Sequence, residues 1–468
     1  MSESGGNANG LVMAPELMGA KGLLHFAKDP LEAFSTARAR YGDAVSFTQL
    51  RGRYVLLSRP EAIEAVLHHK GGEFQKDFFT RDLGTILGQG LLNAEGELWR
   101  RRRKLMAPTF QPRELAAFGE TMLACTDDLL RSFELGAVRD LHADAMHLAL
   151  DIVVRTLFGA KLARFDDVER AIDVVTTEYR LLWHTWRAMI PRWVPLPSHG
   201  RLARVRAELD AILLEVIEQK RKTPGKDLLS HLLALTDDEG HGLTDTELRD
   251  EAMTLFLAGH ETTALAFTYT FRLLAAHPEI DAKVLDELAA VLGGRAPTQA
   301  DVERLPYTSA MVRESLRLYP PVWAMGRYAI EPVEVAGIAI PKDTHVILSQ
   351  WVVQHDARWF PEPERFRPER WLSGETASLH RFAYFPFGGG PRVCVGQHFA
   401  LLELVLVVAR VLQSVRFEIA PGEELALGPV VTLRPRGPVR LRVKPRDGVA
   451  RRAHPPTSIA SQRPYASS

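Results

Sequence analysis

Along most of this chain apolar positions recur at intervals of three and four residues, the spacing that lines one face of an α-helix. The pattern predicts helices over Leu31–Tyr41, Pro60–His68, Glu97–Met106, Pro112–Phe133, His142–Phe158, Val168–Met189, Arg201–Lys222, Leu228–Leu235, Thr244–Ala276, Pro278–Leu292, Ala300–Arg304, Tyr307–Tyr319 and Gln397–Leu412. Short β-branched runs interrupt it. Ala44–Gln49 with Tyr54–Leu57, Pro332–Ile338 with Thr344–Leu348, and Val430–Leu433 with Val439–Val443 are expected as three hairpins. The elements do not alternate as βαβ units, so the fold class is mainly α with minor antiparallel or mixed β-sheets. Pro191–Pro197 reads as a loop between two long helices, and Pro361–Pro368 as a meander. No internal repeat appears, and no linker divides the chain convincingly. One domain is expected over residues 21–445, between a flexible N-terminus (1–20) and a disordered tail (446–468) rich in Arg, Pro, Ser and Ala.

Composition narrows this picture. The chain has 468 residues, 46% of them hydrophobic, ample for a large core. Lys plus Arg and Asp plus Glu both number 58, so no global charge points to nucleic acid or a membrane surface. The polar N-terminus lacks the basic and apolar regions of a signal peptide, and no apolar run reaches about 18 residues. A cytoplasmic chain without a membrane anchor is expected. The only two cysteines, Cys125 and Cys394, fit a reducing compartment rather than a disulfide scaffold. Cys125 follows Met122-Leu123-Ala124 and reads as a core residue on a helix face.

Cys394 stands apart. It lies in Phe387-Gly388-Gly389-Gly390-Pro391-Arg392-Val393-Cys394-Val395-Gly396, immediately before the last helical run. A helix N-terminus favours negative charge and lowers a thiol pKa, and glycines let backbone N–H groups approach the sulfur. Such a thiolate suits haem iron. The spacing Phe-x-x-Gly-x-Arg-x-Cys-x-Gly resembles the haem-binding loop of the cytochrome P450 family, and further motifs of that family follow in order from about residue 20 to 445. The resemblance implies the cytochrome P450 fold, haem b as cofactor and Cys394 as the iron ligand. It also implies cofactor contacts from Phe387, Gly388, Arg392 and Gly396.

The central helical run carries Ala258-Gly259-His260-Glu261-Thr262-Thr263, with Thr244 and Glu247 placed as a capping box at its start. Gly, a carboxylate and two threonines are poor choices for a buried helix centre. The Thr262 hydroxyl can bond a backbone carbonyl one turn back. The segment resembles the family's oxygen-activation motif. On that resemblance Glu261 and Thr262 form the catalytic acid–alcohol pair, and Ala258 and Gly259 leave room for the cofactor. His260, at the variable position, is expected at the surface or in a salt bridge.

Glu314 and Arg317 lie three residues apart on one helix face. They match the family's Glu-x-x-Arg motif, and Pro363–Phe366 resembles its Pro-x-Arg-Phe motif. Together these imply a buried Glu314–Arg317–Arg365 network beneath the Cys loop. Trp99 and Arg103 match the family's Trp-x-x-x-Arg pattern. With Arg327 and Arg392 they are candidate partners of the haem propionates, because Arg pairs with carboxylates bidentately. Within Arg100–Lys104, Arg101 is expected to be solvated, and part of the run could dock an acidic electron donor.

The implied pocket is apolar: Phe78, Phe79, Leu83, Ile86, Leu87, Leu257, Ala258, Val322, Ala324, Met325, Val431 and Leu433, with Arg81 and Arg180 as the available cations. The expected function is haem-thiolate monooxygenation, inserting one oxygen atom of O2 into a lipophile such as a fatty acid, terpenoid, steroid or drug-like compound. The stretch after Cys394 is too short for a fused flavin reductase, and no cysteine set could hold an iron–sulfur cluster. A separate ferredoxin or flavodoxin with its reductase is therefore the expected donor, and the protein is expected as a monomer. The alternatives are an H2O2-dependent peroxygenase and a non-catalytic haem-thiolate binding protein.

Overall fold

The computed structural model describes residues 10–446 apart from 50–51, 70–71, 160–166, 169, 173, 176, 179–193 and 195. The helix read over Val168–Met189, the Pro191–Pro197 loop and Arg180 lie largely or wholly outside the described residues.

Helices form the bulk of the molecule. Asp245–Ala276 runs through the centre and packs on Leu141–Phe158 and on Gln397–Ser414. Its start is fixed by the expected capping box. Thr244 N donates to Glu247 Oε2 at 2.9 Å, and Glu247 N donates back to Thr244 Oγ1 at 3.3 Å. Gln397–Ser414 has the length and apolarity of a membrane span, and it lies in the core with Leu404–Val408 buried. Cys125, on Gly119–Arg131, is buried against this region as expected.

Seven further helical spans follow the expected periodicity to within a few residues, for example Pro30–Tyr41, Pro278–Leu292 and Pro306–Leu318. The run over Pro112–Phe133 differs. It divides into Pro112–Leu115, a 3-10 turn at Ala116–Phe118, and Gly119–Arg131. Ala300–Arg304 is part of a 3-10 helix, Gln299–Arg304. Three helices were not legible from periodicity: Gly19–Lys28, Phe78–Leu87 and Gln350–Gln354. The second begins at a cap, Asp77, whose carboxylate accepts from Thr80 N at 3.1 Å. The N-terminal stretch expected to be flexible is packed from about residue 11. Val12–Met13 pairs with Val45–Ser46, and Leu17 is buried.

The principal sheet has six strands in the order Val12–Met13, Ala44–Gln49, Gly52–Leu57, Thr344–Leu348, Met325–Ala329, Phe74–Lys76. The first expected hairpin is present, with Ala44 opposite Leu57. The other two pair differently. Thr344–Leu348 lies between Gly52–Leu57 and Met325–Ala329, a central position suited to its nearly continuous burial. Val333–Val335 instead pairs with Ile338–Ile340 across Ala336 and Gly337, both at positive φ, as a two-residue hairpin turn requires. Near the C-terminus, Leu427–Pro429 pairs with Leu433–Pro435, while Arg440–Pro445 joins Val415–Ile419 and Val138–Asp140. Arg446 is anchored, its Nη2 2.6 Å from Asp281 Oδ1; the rest of the expected tail lies outside the described residues.

Candidate active site

The Cys loop is built from backbone bonds and close contacts. Gly388 N donates to Phe385 O, Val393 N to Gly390 O and Cys394 N to Phe387 O, all at 2.9–3.1 Å. Gly388 and Gly390 sit at φ of 70° and 66°. A Cβ on Gly390 would also lie 2.2 Å from Leu67 O, so a side chain there is excluded twice over. The Cys394 thiol opens into a cavity of about 640 Å3. Burial pushes that thiol up, while the Gly396 N–H and the Arg103 guanidinium pull it down. Burial wins, so the depression expected from the helix N-terminus is not the net outcome.

Beneath the loop lies the Glu314 network. Glu314 and Arg317 are fully buried, and Arg317 binds the carboxylate bidentately at 2.9 and 3.0 Å. Arg317 also donates to Gln354 O at 2.8 Å, and Gln354 Oε1 accepts from Phe385 N at 3.2 Å, which links the network to the Cys loop. The expected third member is corrected. Arg365 contributes only its carbonyl, which accepts from Arg317 at 3.3 Å; its side chain is 63% exposed and pairs with Glu362. The buried cation is Arg370, whose Nε donates to Glu314 Oε1 at 2.9 Å, and Trp371 Nε1 donates to Glu314 Oε2 at 2.8 Å. A buried carboxylate needs its lone pairs filled, and these donors fill them. The two chain positions differ by five residues within one Arg-rich meander, which spacing alone does not resolve.

The opposite wall of the cavity is the middle of Asp245–Ala276. Ala258, Gly259, His260, Glu261 and Thr262 all line it. Thr262 Oγ1 donates to Ala258 O at 2.7 Å, the expected back-bond. His260 is not at the surface: it is buried, with Nε2 3.1 Å from Met146 O. Glu261 is bound by Thr432 Oγ1 and Arg434 Nε from the hairpin Leu427–Pro435. Burial pushes its carboxyl up, but the charge and hydrogen bonds of Arg434 and the Thr432 bond outweigh that, and it lies below the usual carboxylate range. The last hairpin gives no sequence signal of this pairing, because its partner lies 171 and 173 positions away.

Trp99, Arg103, Arg327, Phe387, Arg392 and Gly396 all reach the cavity. Arg392 lies 4.5 Å over the Trp99 ring and donates to Ala94 O at 2.9 Å and to Glu95. Burial, then the Arg392 charge, lowers Arg327 to about 10. The neighbouring basic run does not form an open patch. Arg101 pairs with Asp237 and Glu247 at 2.8 and 3.1 Å, Arg102 is buried with Glu251, Arg100 pairs with Glu97, and Lys104 with Asp238. Local carboxylates therefore neutralise the expected docking surface.

Of the expected pocket residues, Phe79, Leu83, Ile86, Leu87, Leu257, Val322, Ala324, Met325 and Val431 line the cavity. Phe78 does not; it packs edge-on against Phe79 with ring centroids 5.8 Å apart. Leu433 is core, and its carbonyl accepts from Tyr269. Arg81 stacks over Tyr328 instead of entering the cavity. Leu91, Leu92, Phe110, Val153 and Trp323 were missed, being indistinguishable in sequence from core residues.

An open thiol on one wall, a helix with a small-residue step opposite, apolar lining between them and arginines at one edge fit a flat, carboxylate-bearing porphyrin. The cytochrome P450 family model matches residues 14–436, and the chain belongs to this family of haem-dependent, oxygen-incorporating oxidoreductases. Among its relatives, cyclooctat-9-en-7-ol 5-monooxygenase of Streptomyces melanosporofaciens is 35% identical over 85% of this chain and 87% of its own length. Pentalenene oxygenase of Streptomyces avermitilis is 32% identical over 88% of this chain and 92% of its own. The solved structure of retinoic acid-bound cyanobacterial CYP120A1 aligns with a TM-score of 0.79 at 28% identity, covering 90% of this chain and 96% of that one.

Proposed function

We propose that this monooxygenase oxidises an isoprenoid-type lipophile, using haem b and electrons from a separate ferredoxin or flavodoxin. The observation that carries this reading is the apolar cavity spanning from Cys394 to the Ala258–Thr262 wall. Its volume, about 640 Å3, takes in both the space that haem would fill and the apolar space beside it for a substrate. The names of the two Streptomyces relatives and the ligand of the cyanobacterial structure support the isoprenoid class. Bound through Cys394, haem supplies O2 binding and reductive O–O cleavage.

The chain's own residues then have three tasks. Cys394 would hold the iron through its thiolate, with the Gly396 N–H and Arg103 favouring its negative charge. Thr262 commits its proton to Ala258 O, so its oxygen faces the cavity as an acceptor and holds a water or hydroxyl there. Glu261 is the proton carrier, and to deliver a proton its carboxylate has to part from Arg434 and Thr432. Phe79, Leu83, Leu257 and Val431 exclude water and orient the substrate by shape.

The test is spectral. Reduced protein under carbon monoxide is expected to show the red-shifted Soret band of thiolate ligation, and its absence removes the assignment of Cys394. Titration with sesquiterpenes, diterpenes, fatty acids and steroids is expected to drive the iron to high spin with the isoprenoids. A response confined to fatty acids or steroids overturns the substrate class. Turnover with a ferredoxin system is expected to exceed turnover with H2O2. In Thr262→Ala, peroxide release is expected to rise about tenfold relative to product; unchanged coupling rules out the role given to Thr262.

A further inference from the structure

Residues 86–92 form one apolar wall of the cavity, through Ile86, Leu87, Leu91 and Leu92. The wall presses closely on the central helix Asp245–Ala276: a Cβ on Gly90 would lie 2.1 Å from Thr254 Oγ1. Charged side chains hold its main chain in place. Asp250 Oδ2 accepts from Gln89 N at 2.7 Å, and Glu251 Oε2 accepts from Leu91 N at 2.9 Å. Arg102 donates to Gln89 O, and Arg249 Nη2 donates to Ile86 O at 3.1 Å. Four main-chain groups of the wall are thus clasped by four charged side chains, three of them on the central helix and one on Gly96–Met106.

Glu251 is the member of this clasp that can change state. It is fully buried, and its second oxygen, Oε1, meets Arg102 Nη1 at 3.2 Å. The charges that face it are Arg102, from Gly96–Met106, and Asp250, beside it on the central helix. Behind these, Arg102 also lies 3.6 Å from Glu247, which Arg101 binds at 3.1 Å. Arg249 is bound by Asp250 and by Asp210 of Pro197–Lys222, and residues 86–92 bring no titratable side chain. Burial raises the Glu251 carboxyl to about 7, and the Leu91 N–H and Arg102 offset that only in part. Both oxygens of the ionised carboxylate already face N–H donors. A proton on either one turns an acceptor into a donor, so one of the two contacts has to break.

We propose that Glu251 is a positioning residue for the substrate: its ionised carboxylate fixes Leu91 and Leu92 through the main chain, and proton uptake releases that wall and loosens the fit of a bound lipophile. This role rests on the reading of the cavity as a lipophile site. It gives the protein a response to pH near neutrality that the proton carrier does not, because Arg434 and Thr432 hold Glu261 below the usual carboxylate range.

The test reads the wall and the fit separately in the full haem-loaded chain. Amide hydrogen exchange at Leu91, corrected for the intrinsic effect of pH, is expected to be about tenfold slower near pH 8 than near pH 6 in wild type. Glu251→Gln cannot ionise, and its amide N–H reproduces the donor of the protonated acid. Its Leu91 exchange is expected to stay fast at both pH values. Arg102→Gln is expected to move the midpoint of protection to higher pH, because a cation that favours the ionised carboxylate is gone. That variant and the wild-type profile decide the matter if Glu251→Gln does not fold. Farnesol, uncharged throughout, probes the fit. Its dissociation constant, read from the shift to high spin, is expected to be about tenfold weaker near pH 6 than near pH 8 in wild type, and weak and flat in Glu251→Gln. Equal Leu91 protection at the two pH values in wild type overturns the proposal, as does a pH-dependent farnesol affinity that survives in Glu251→Gln. If no isoprenoid shifts the spin state, the substrate reading fails, and the exchange data alone still decide the role of Glu251.

Discussion

The two walls of the cavity hold their charges in different ways. On the Cys394 side, Glu314 is satisfied by Arg317, Arg370 and Trp371, all of its donors come from rigidly packed segments, and none of it touches the cavity. On the opposite side, Glu261 lines the cavity, and one hairpin whose Pro429–Val431 turn also lines it supplies both of its donors. The first arrangement is a closed support with no free valence. The second joins the proposed proton carrier to the surface that a substrate would touch. A buried ion pair contributes rigidity when every lone pair is filled, and it can respond to a ligand only where one partner sits on a movable wall.

The largest expected effect breaks the support. Glu314→Ala leaves Arg317 and Arg370 buried without their carboxylate, at a cost of about 3–5 kcal/mol. Haem content after expression and the thermal midpoint are both expected to fall sharply; a variant that loads haem normally would show that the closed network is dispensable.

Breaking the other wall has a smaller cost with a pH signature. Arg434→Met removes the largest influence that holds Glu261 low and leaves the burial that pushes it up, with the Thr432 hydrogen bond still in place. Wild-type Glu261, with a depressed pKa in the folded protein, contributes stability that is present above the usual carboxylate pKa and lost as pH falls. In the variant this contribution shrinks. The gap in unfolding free energy between the two proteins, read from chemical denaturation, is therefore expected to be widest near neutral pH, about 2 kcal/mol, and to narrow toward pH 4. A gap that does not vary with pH removes Glu261 from the account.

A third carboxyl sharpens the contrast because, among the described residues, it has no hydrogen-bond partner. Glu403, on the helix that follows Cys394, is fully buried, and neither oxygen is hydrogen-bonded. Burial raises its pKa well above the usual value, so it stays neutral in the fold. A raised acid costs stability progressively as pH rises above the unfolded value. Glu403→Gln is expected to stabilise the protein by about 1 kcal/mol near pH 8 and by less near pH 5, read from chemical denaturation. The smallest effect separates sequence pattern from structure: Arg365→Ala, at an exposed pair with Glu362, is expected to shift stability by less than about 0.5 kcal/mol. A loss comparable to that of Glu314→Ala would return Arg365 to the network.

Local order was largely legible. Thr244 and Glu247 mark the start of the central helix because capping is a contact between residues three apart, and Glu314 and Arg317 meet because one helical turn brings them together. Thr262 reaches Ala258 O for the same reason. Phe78 and Phe79 show the limit. Both carry the same apolar chemistry at adjacent positions, and the rotation of one short helix decides which of them faces the cavity.

The chain written out in order thus establishes most of the helical frame, the Cys loop with its glycines, and the one-turn pairings of Thr244 with Glu247, Glu314 with Arg317 and Thr262 with Ala258, since periodicity and steric demand act on neighbours. Folding in three dimensions settles the rest: Arg370 rather than Arg365 on Glu314, Arg434 on Glu261, Lys76 against Arg327, and the strand that accepts Thr344–Leu348. These contacts join residues 56 to 291 positions apart in most cases, and a side chain's charge carries no address. Which cation meets which carboxylate depends on where packing has already brought the backbone.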